Sequence, residues 1–198
     1  MREVGRNLSL LLTLTSLIVT LSACAPKPIP VLEYRSTPTE QQPNLLVLLR
    51  GRGGSYLDFE RYGIIEAVRE RNLPFDIVVP NAHFGYYLTE TLHERLKFDI
   101  IDPARSQGYR QIWLAGFSMG GIGALFYPIS YPDESIAGLL LSSPYLGDDV
   151  VNDIVDQGGV AAWSPPQPPS DNWQIRLWSW IKQYQTDPER FPPIFLGY

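Results

Sequence analysis

Leu114-Ala-Gly-Phe-Ser118-Met-Gly-Gly121 decides how the rest of this chain is read. The run Arg110-Gln-Ile-Trp-Leu-Ala115 leading into it is short and apolar and predicts a strand, while Met119 to Tyr127 predicts the start of a buried helix. A G-x-S-x-G pentapeptide joining a strand to a helix makes a sharp turn. Gly116 and Gly120 lack the Cβ atoms that would clash inside it, so the backbone passes while Ser118 Oγ is pushed out of the sheet. Ser118 is therefore the candidate nucleophile. The N–H of Met119, at the helix start, points toward an acyl oxygen bound there.

Working outward, Asn44-Leu-Leu-Val-Leu-Leu-Arg50 is a continuous apolar run, as expected of a strand covered on both faces. Gly51-Arg52-Gly53-Gly54-Ser55 follows, and then a helix is expected from Asp58 to Arg71. The glycine-rich loop lacks the Gly-Lys-Ser/Thr ending of a phosphate-binding loop. Phe75-Asp-Ile-Val-Val-Pro80 reads as a second core strand. The loop after it, Asn81 to Tyr87, emerges at a strand C-terminus, where open α/β sheets build their sites. That makes His83 a substrate-pocket candidate, or an unusual base, against the plainer reading of a loop histidine bonded to backbone. Leu88, Leu92, Leu96 and Ile100 recur every four residues and predict one helix stripe. His93 lies one position off that stripe, among Thr91, Glu94 and Arg95, and reads as solvated.

Beyond the Ser118 turn, Ile136 to Ser143 predicts another core strand. Tyr145 and Asp148, in the segment Pro144 to Asp149 that follows, are further pocket candidates, against the plainer reading of a solvated turn with capping aspartates. Ser164-Pro-Pro-Gln-Pro-Pro-Ser170 is an extended bridge. Asp171, with Gln174 three residues on, resembles an N-terminal capping box for a helix through Tyr184. Its inward stripe is Trp173, Leu177, Trp180, Ile181 and Tyr184. Trp163 and Trp178 add to an aromatic region suited to roof an apolar pocket. Pro193-Ile-Phe-Leu-Gly-Tyr198 reads as one more core strand. Gly121-Ile-Gly123 is a poor dinucleotide fingerprint, because Phe126 stands where a third small residue is needed.

The 198 residues are 44% hydrophobic, enough for one α/β domain, and a net charge of −5 gives no reason to expect nucleic acid as a partner. Two histidines and one cysteine offer no metal ligand set, and no cofactor is expected. Arg2 and Arg6 precede the apolar run Leu8 to Leu21, a secretory signal over residues 1–23 that is short for a membrane span. Leu21-Ser-Ala-Cys24 resembles the lipobox of bacterial lipoproteins. The resemblance implies cleavage before Cys24, a palmitate-type lipid on its thiol and membrane attachment in the bacterial cell envelope. Residues 24–43 read as a proline-rich tether and 44–198 as the domain, with Val31 to Arg35 extended and able to add an edge strand.

From Leu45 to Tyr198 the chain resembles the α/β-hydrolase fold in its compact serine-esterase form. Gly51-Arg-Gly-Gly54, Gly116-Phe-Ser-Met-Gly120 and Ile194-Phe-Leu-Gly-Tyr198 carry the resemblance. It implies three layers, a mostly parallel sheet with helices on both faces. It also implies a small-molecule ester as substrate and an acyl-enzyme at Ser118. The oxyanion would be held by the N–H of Met119 and by Arg52 or Gly53 through backbone, with Arg50 replacing the usual histidine of the glycine loop. In this family the triad acid and histidine follow the strand that Ile194–Tyr198 resembles, whereas His83 and His93 both precede Ser118. The resemblance thus implies a domain with its C-terminal part missing and catalysis impaired or lost. The alternative is a non-catalytic, lipid-anchored binding or interaction lipoprotein on the same scaffold.

Overall fold

The computed structural model describes residues 27–37, 39–167 and 171–198. The signal segment 1–23 and lipidation at Cys24 lie outside the described residues, as does the end of the proline-rich bridge. Six strands form one sheet: β1 (Val31–Tyr34), β2 (Asn44–Leu49), β3 (Phe75–Pro80), β4 (Gln111–Phe117), β5 (Gly138–Ser142) and β6 (Ile194–Gly197). Their order is β1-β3-β2-β4-β5-β6; β1 runs antiparallel to β3 and every other pair is parallel. The central strand β2 is buried along nearly its whole length, as its unbroken apolar run predicts.

The side chains of β2 alternate between two cores. Leu45, Val47 and Leu49 face one helical layer, together with Ile112 and Leu114 of β4 and Leu139 and Leu141 of β5. That layer contains α4 (Leu92–Leu96), α5 (Asp102–Ser106), α6 (Met119–Ser130) and α8 (Trp173–Thr186). Leu46 and Leu48 face the other side, with Ile77, Val79 and Ile65 of α2 (Ile64–Glu70). Helices therefore cover both faces of a mostly parallel sheet, the three-layer arrangement expected from the sequence.

Several boundaries differ from expectation. The edge strand expected over Val31 to Arg35 is β1, which pairs with β3 from Val31↔Pro80 to Tyr34↔Ile77, and with Ile29 buried as well the ordered domain begins before Asn44. The buried Asp76 carboxylate also accepts from Ser36 N at 3.0 Å, Gln42 N at 3.1 Å and Tyr109 Oη at 2.9 Å. Proline-rich composition reports extended backbone, which a sheet edge accommodates as readily as a linker does. The helix expected over Asp58–Arg71 is two pieces, α1 (Asp58–Arg61) and α2, parted at Gly63 with φ 75°. The Leu88 stripe also breaks. Leu88 ends a separate short helix, α3 (Phe84–Leu88), and is exposed, whereas Leu92, Leu96 and Ile100 are buried as predicted. The turn between α3 and α4 carries Glu90 at φ 53°.

The N-cap of α8 is Asn172, not Asp171: its side chain accepts from Gln174 N at 2.8 Å and Ile175 N at 3.4 Å. Gln174 instead reaches α7 (Asp149–Asp156), where its Oε1 accepts from Asp149 N at 3.0 Å. Trp163 does not roof anything; it is buried with Val150 and Ile154 in a satellite core, with Trp178 packed against it. β6 is an exposed edge rather than a core strand, with Phe195 and Leu196 more than half exposed. Its register with β5, Leu139↔Ile194 to Ser142↔Gly197, is nonetheless parallel as expected.

Candidate active site

Ser118 stands between β4 and α6 with φ 52° and ψ −116°, a backbone conformation that costs a non-glycine residue free energy. Its neighbours hold it there. Ser118 N donates to Ser142 O at 3.0 Å, tying the turn to the end of β5, and its own carbonyl accepts from Gly121 N at 2.9 Å and Tyr145 N at 3.0 Å. The flanking glycines are required by contact, not by habit. A Cβ on Gly116 would lie 2.3 Å from Gly120 O, and one on Gly120 would lie 2.0 Å from Leu49 O. The elbow is thus wedged between its own strand, its own helix and the end of β2.

Met119 is the first residue of the twelve-residue helix α6. Its N–H lies in the first turn, where amides have no partner four residues back and the helix dipole favours negative charge. The Gly51–Gly54 loop packs against the elbow, since a Cβ on Gly51 would sit 3.3 Å from Ser118 Cβ. Gly54 N donates to Gly51 O at 3.4 Å, and the Arg50 guanidinium donates to Gly51 O at 3.3 Å and to Gly54 O. Arg50, standing where the histidine of related loops was expected, fastens the loop through its carbonyls.

Ser118 opens into a cleft of about 570 Å³ whose lining is mostly aromatic and aliphatic. Met119, Ile122, Gly123 and Phe126 supply its floor from α6. Phe84, Tyr86 and Tyr87 of α3 supply one wall, and Tyr145 and Trp173 the other. Gly123 lets the walls approach the floor, as a Cβ there would meet Leu92 at 2.8 Å and the Tyr87 hydroxyl at 3.0 Å. That hydroxyl is buried without a hydrogen-bond partner among the described residues, and burial pushes its pKa well above the usual phenol range.

The sequence-derived candidates separate on this geometry. Arg52 lines the cleft with Ser118, its guanidinium 4.8 Å over the Phe84 ring, whereas Gly53 is exposed, has φ 76° and is not part of the lining. Tyr145 and Asp148 both line it, and Tyr145 Oη donates to Asp148 Oδ2 at 2.7 Å, which raises the tyrosine pKa. Asp149 is engaged with Gln174 at the start of α7. His83 is not part of the lining. It caps α3, its Nδ1 accepting from Gly85 N at 3.1 Å, and its ring lies 4.5 Å from that of Tyr86.

His93, read from the sequence as solvated, is half-buried and lines the far end of the cleft. Burial lowers its pKa. Its ring lies 6.0 Å from Tyr131, the C-cap of α6, which is about 20 Å of helix away from Ser118. Even with the reach of both rings allowed, no proton passes directly between His93 and Ser118. Helical spacing could show that His93 sits beside the stripe, but the break at Glu90 that turns α4 toward the cleft has no signal of its own.

A second concavity, of about 710 Å³, lies on the opposite face of the sheet, between α1 and the β4-β5-β6 edge. Phe117, Phe195 and Leu196 line it, and Arg52 borders both spaces.

No protein-family model matches the chain, and no curated protein matches it. Solved structures do resemble it. Est1E from Butyrivibrio proteoclasticus, solved with ferulic acid bound, superposes with a TM-score of 0.53 at 16% identity, over 85% of this chain and 73% of that one. S-formylglutathione hydrolase FrmB from Staphylococcus aureus superposes with a TM-score of 0.50 at 14% identity, over 88% and 79%. This is the α/β-hydrolase fold. Within it the strained serine after β4 and the glycine loop after β2 take the positions that the sequence resemblance anticipates. At such identities the likeness establishes the fold and leaves the chemistry to the residues themselves.

Proposed function

We propose that the chain is a serine-hydrolase scaffold for small carboxylic esters, with Ser118 as the acyl acceptor. The observation that carries this reading is the strained Ser118 backbone, held at the head of α6 by two cross-element hydrogen bonds, with Ser142 and Tyr145, and opening into an apolar cleft. Attack by Oγ on an ester carbonyl would place negative charge at the first turn of α6. There the Met119 N–H and a backbone N–H of the Gly51–Gly54 loop, Arg52 rather than Gly53, would receive it.

Proton removal is the weak step. Of the two histidines in the chain, His83 is spent on capping and His93 stands at the cleft's far end. An unassisted serine hydroxyl is a poor nucleophile near neutral pH, so these 198 residues by themselves are expected to turn over slowly. Donors and binding alone leave on the order of 10³–10⁴-fold over water. The absence of an imidazole beside Ser118 favours a second reading, a non-catalytic ligand-binding lipoprotein held to the bacterial envelope through Cys24. Only the lipobox resemblance supports that anchor.

Exposure to a fluorophosphonate probe tests the first reading. Covalent labelling that Ser118→Ala abolishes is the expected result. Absence of labelling at millimolar probe over a day, in folded protein, would leave the binding reading in its place.

A further inference from the structure

Three side chains that are charged at neutral pH line the cleft, and two of them are engaged. Glu90, at the far end, pairs with Arg176 at 3.4 Å, and the Asp148 carboxylate accepts from Tyr145 Oη at 2.7 Å. Arg52 is the third. Its guanidinium makes no hydrogen bond or ion pair among the described residues and rests 4.8 Å over the Phe84 ring. A ring face answers the charge of such a group but engages none of its five N–H donors. Arg50, two residues earlier, differs, because its Nη1 is spent on the carbonyls of Gly51 and Gly54.

Arg52 stands at the reacting end of the cleft. Gly51 packs on the elbow, where a Cβ would lie 3.3 Å from Ser118 Cβ, and Arg52 follows one Cα step of about 3.8 Å later. Phe84, under the guanidinium, is on one wall of the cleft and Tyr145 is on the other. The cation is also close enough to Tyr145 to oppose the upward pull that Asp148 exerts on the tyrosine pKa. Away from Ser118 the floor is Met119, Ile122 and Phe126, about 10.5 Å of helix, and the next charges are the paired Glu90 and Arg176. An anion therefore finds an unpaired partner at the Ser118 end and none deeper in.

We propose that the site takes esters with a neutral, apolar acyl chain and an alcohol half that carries a carboxylate, and that the Arg52 side chain selects the carboxylate. The chain lies along α6, the carbonyl at Ser118, and the alcohol half at the mouth, where the planar fork of the guanidinium meets the two carboxylate oxygens. The orientation rests on the acyl-transfer reading above. The unpaired cation beside the elbow does not, since it would favour an anionic ligand with or without turnover.

The test compares 4-(hexanoyloxy)benzoate with its neutral counterpart of equal shape, 4-(hexanoyloxy)benzamide. Both are bound to the full chain carrying Ser118→Ala, so that no turnover intervenes, and are followed by tryptophan fluorescence, Trp173 being part of the lining. The benzoate is expected to bind about fivefold more tightly, the upper range for an exposed ion pair. That ratio should shrink as ionic strength rises from about 0.01 to 1 M. Arg52→Gln should erase it, and Arg52→Lys, which keeps the charge and loses the fork, should retain part of it. Asp148→Asn removes the nearest competing anion of the lining and should widen it. Equal binding of the two esters, binding of neither, a ratio that survives Arg52→Gln, or one that narrows in Asp148→Asn overturns the inference. Fluorophosphonate labelling of Ser118 in the parent chain, with the two esters bound equally, would sink this inference alone. A benzoate preference in a chain whose Ser118 resists labelling would sink the acyl-transfer reading and leave Arg52 as the anion-selecting group of a binding protein.

Discussion

The φ 52°, ψ −116° backbone of Ser118 makes a quantitative demand on stability. A non-glycine residue held in so sparsely populated a region stores about 1–3 kcal/mol. Ser118→Gly removes the Cβ that creates the penalty, while Ser118→Ala keeps it. Glycine loses more conformational freedom on folding, which costs about 0.5–1 kcal/mol. Ser118 is only partly buried, so deleting its side chain forfeits little packing. The net expectation, taking the middle of each range, is that Ser118→Gly is more stable than Ser118→Ala by about 1 kcal/mol.

Urea denaturation reads this as a shift in midpoint at unchanged m value, which separates a native-state effect from a change in the unfolded chain's compactness. For a domain of this size each kcal/mol also moves Tm by about 2–4 °C. The alanine variant is the necessary reference, because both variants lose the hydroxyl and only one loses the strain. If Ser118→Gly is equal to or less stable than Ser118→Ala, the turn is not strained in the folded protein, and the elbow argument for Ser118 loses its foundation.

Two other perturbations have definite signs. Burial opposes ionisation of Glu134, but hydrogen bonds from Lys97, Arg105 and Tyr127 outweigh it and hold its carboxyl at about 2, below the ordinary 4.5. A depressed folded pKa contributes stability above the unfolded value, so that contribution should be full above pH 4.5 and disappear as the pH falls toward 2. Glu134→Gln should therefore cost about 1–3 kcal/mol at pH 7 after allowance for solvent screening, and flatten the pH dependence of unfolding between those limits; an unchanged acid limb would refute the pairing. On the open groove, Phe195→Lys places a charge on the exposed edge strand and should reduce dye binding to apolar surface and concentration-dependent light scattering. Scattering equal to that of the parent chain would show that the groove is not what associates.

How much of this was legible in the sequence depends on how local each signal is. The elbow was readable because everything that forces it lies within five residues and two adjacent strands: Gly116 and Gly120 are glycine because backbone carbonyls stand where their Cβ atoms would be. The strands β2, β3 and β4 were readable for the same reason, being continuous apolar runs with punctuation at each end. The cleft was not. Tyr145, Trp173 and Phe126 come from three segments of the chain, and their spacing is a property of packing, which no periodicity encodes. β1 was legible as an extended segment able to form an edge strand, but the prolines around it carry the same message for a tether as for a sheet edge, so the start of the domain was not. The exposure of β6 likewise depends on what covers it and not on its four residues.

The fate of the two histidines bears on what the strained serine is for. His83 lies on the side of the sheet where sites form, yet its Nδ1 is occupied as acceptor for Gly85 N. In the neutral ring that places the proton on Nε2, so no lone pair is left for a substrate or for Ser118 unless the cap of α3 is given up. His93 has been drawn into the same cleft as Ser118 but at the opposite end of α6. The scaffold therefore keeps a costly nucleophile geometry, fastened by Ser142, Tyr145 and Gly121, with neither imidazole in reach of it. Strain of this kind persists only where surrounding structure over-determines it, and it gathers where mechanism uses it. Ser118 satisfies the first condition in full, and whether a base brought to its hydroxyl restores acyl transfer decides the second.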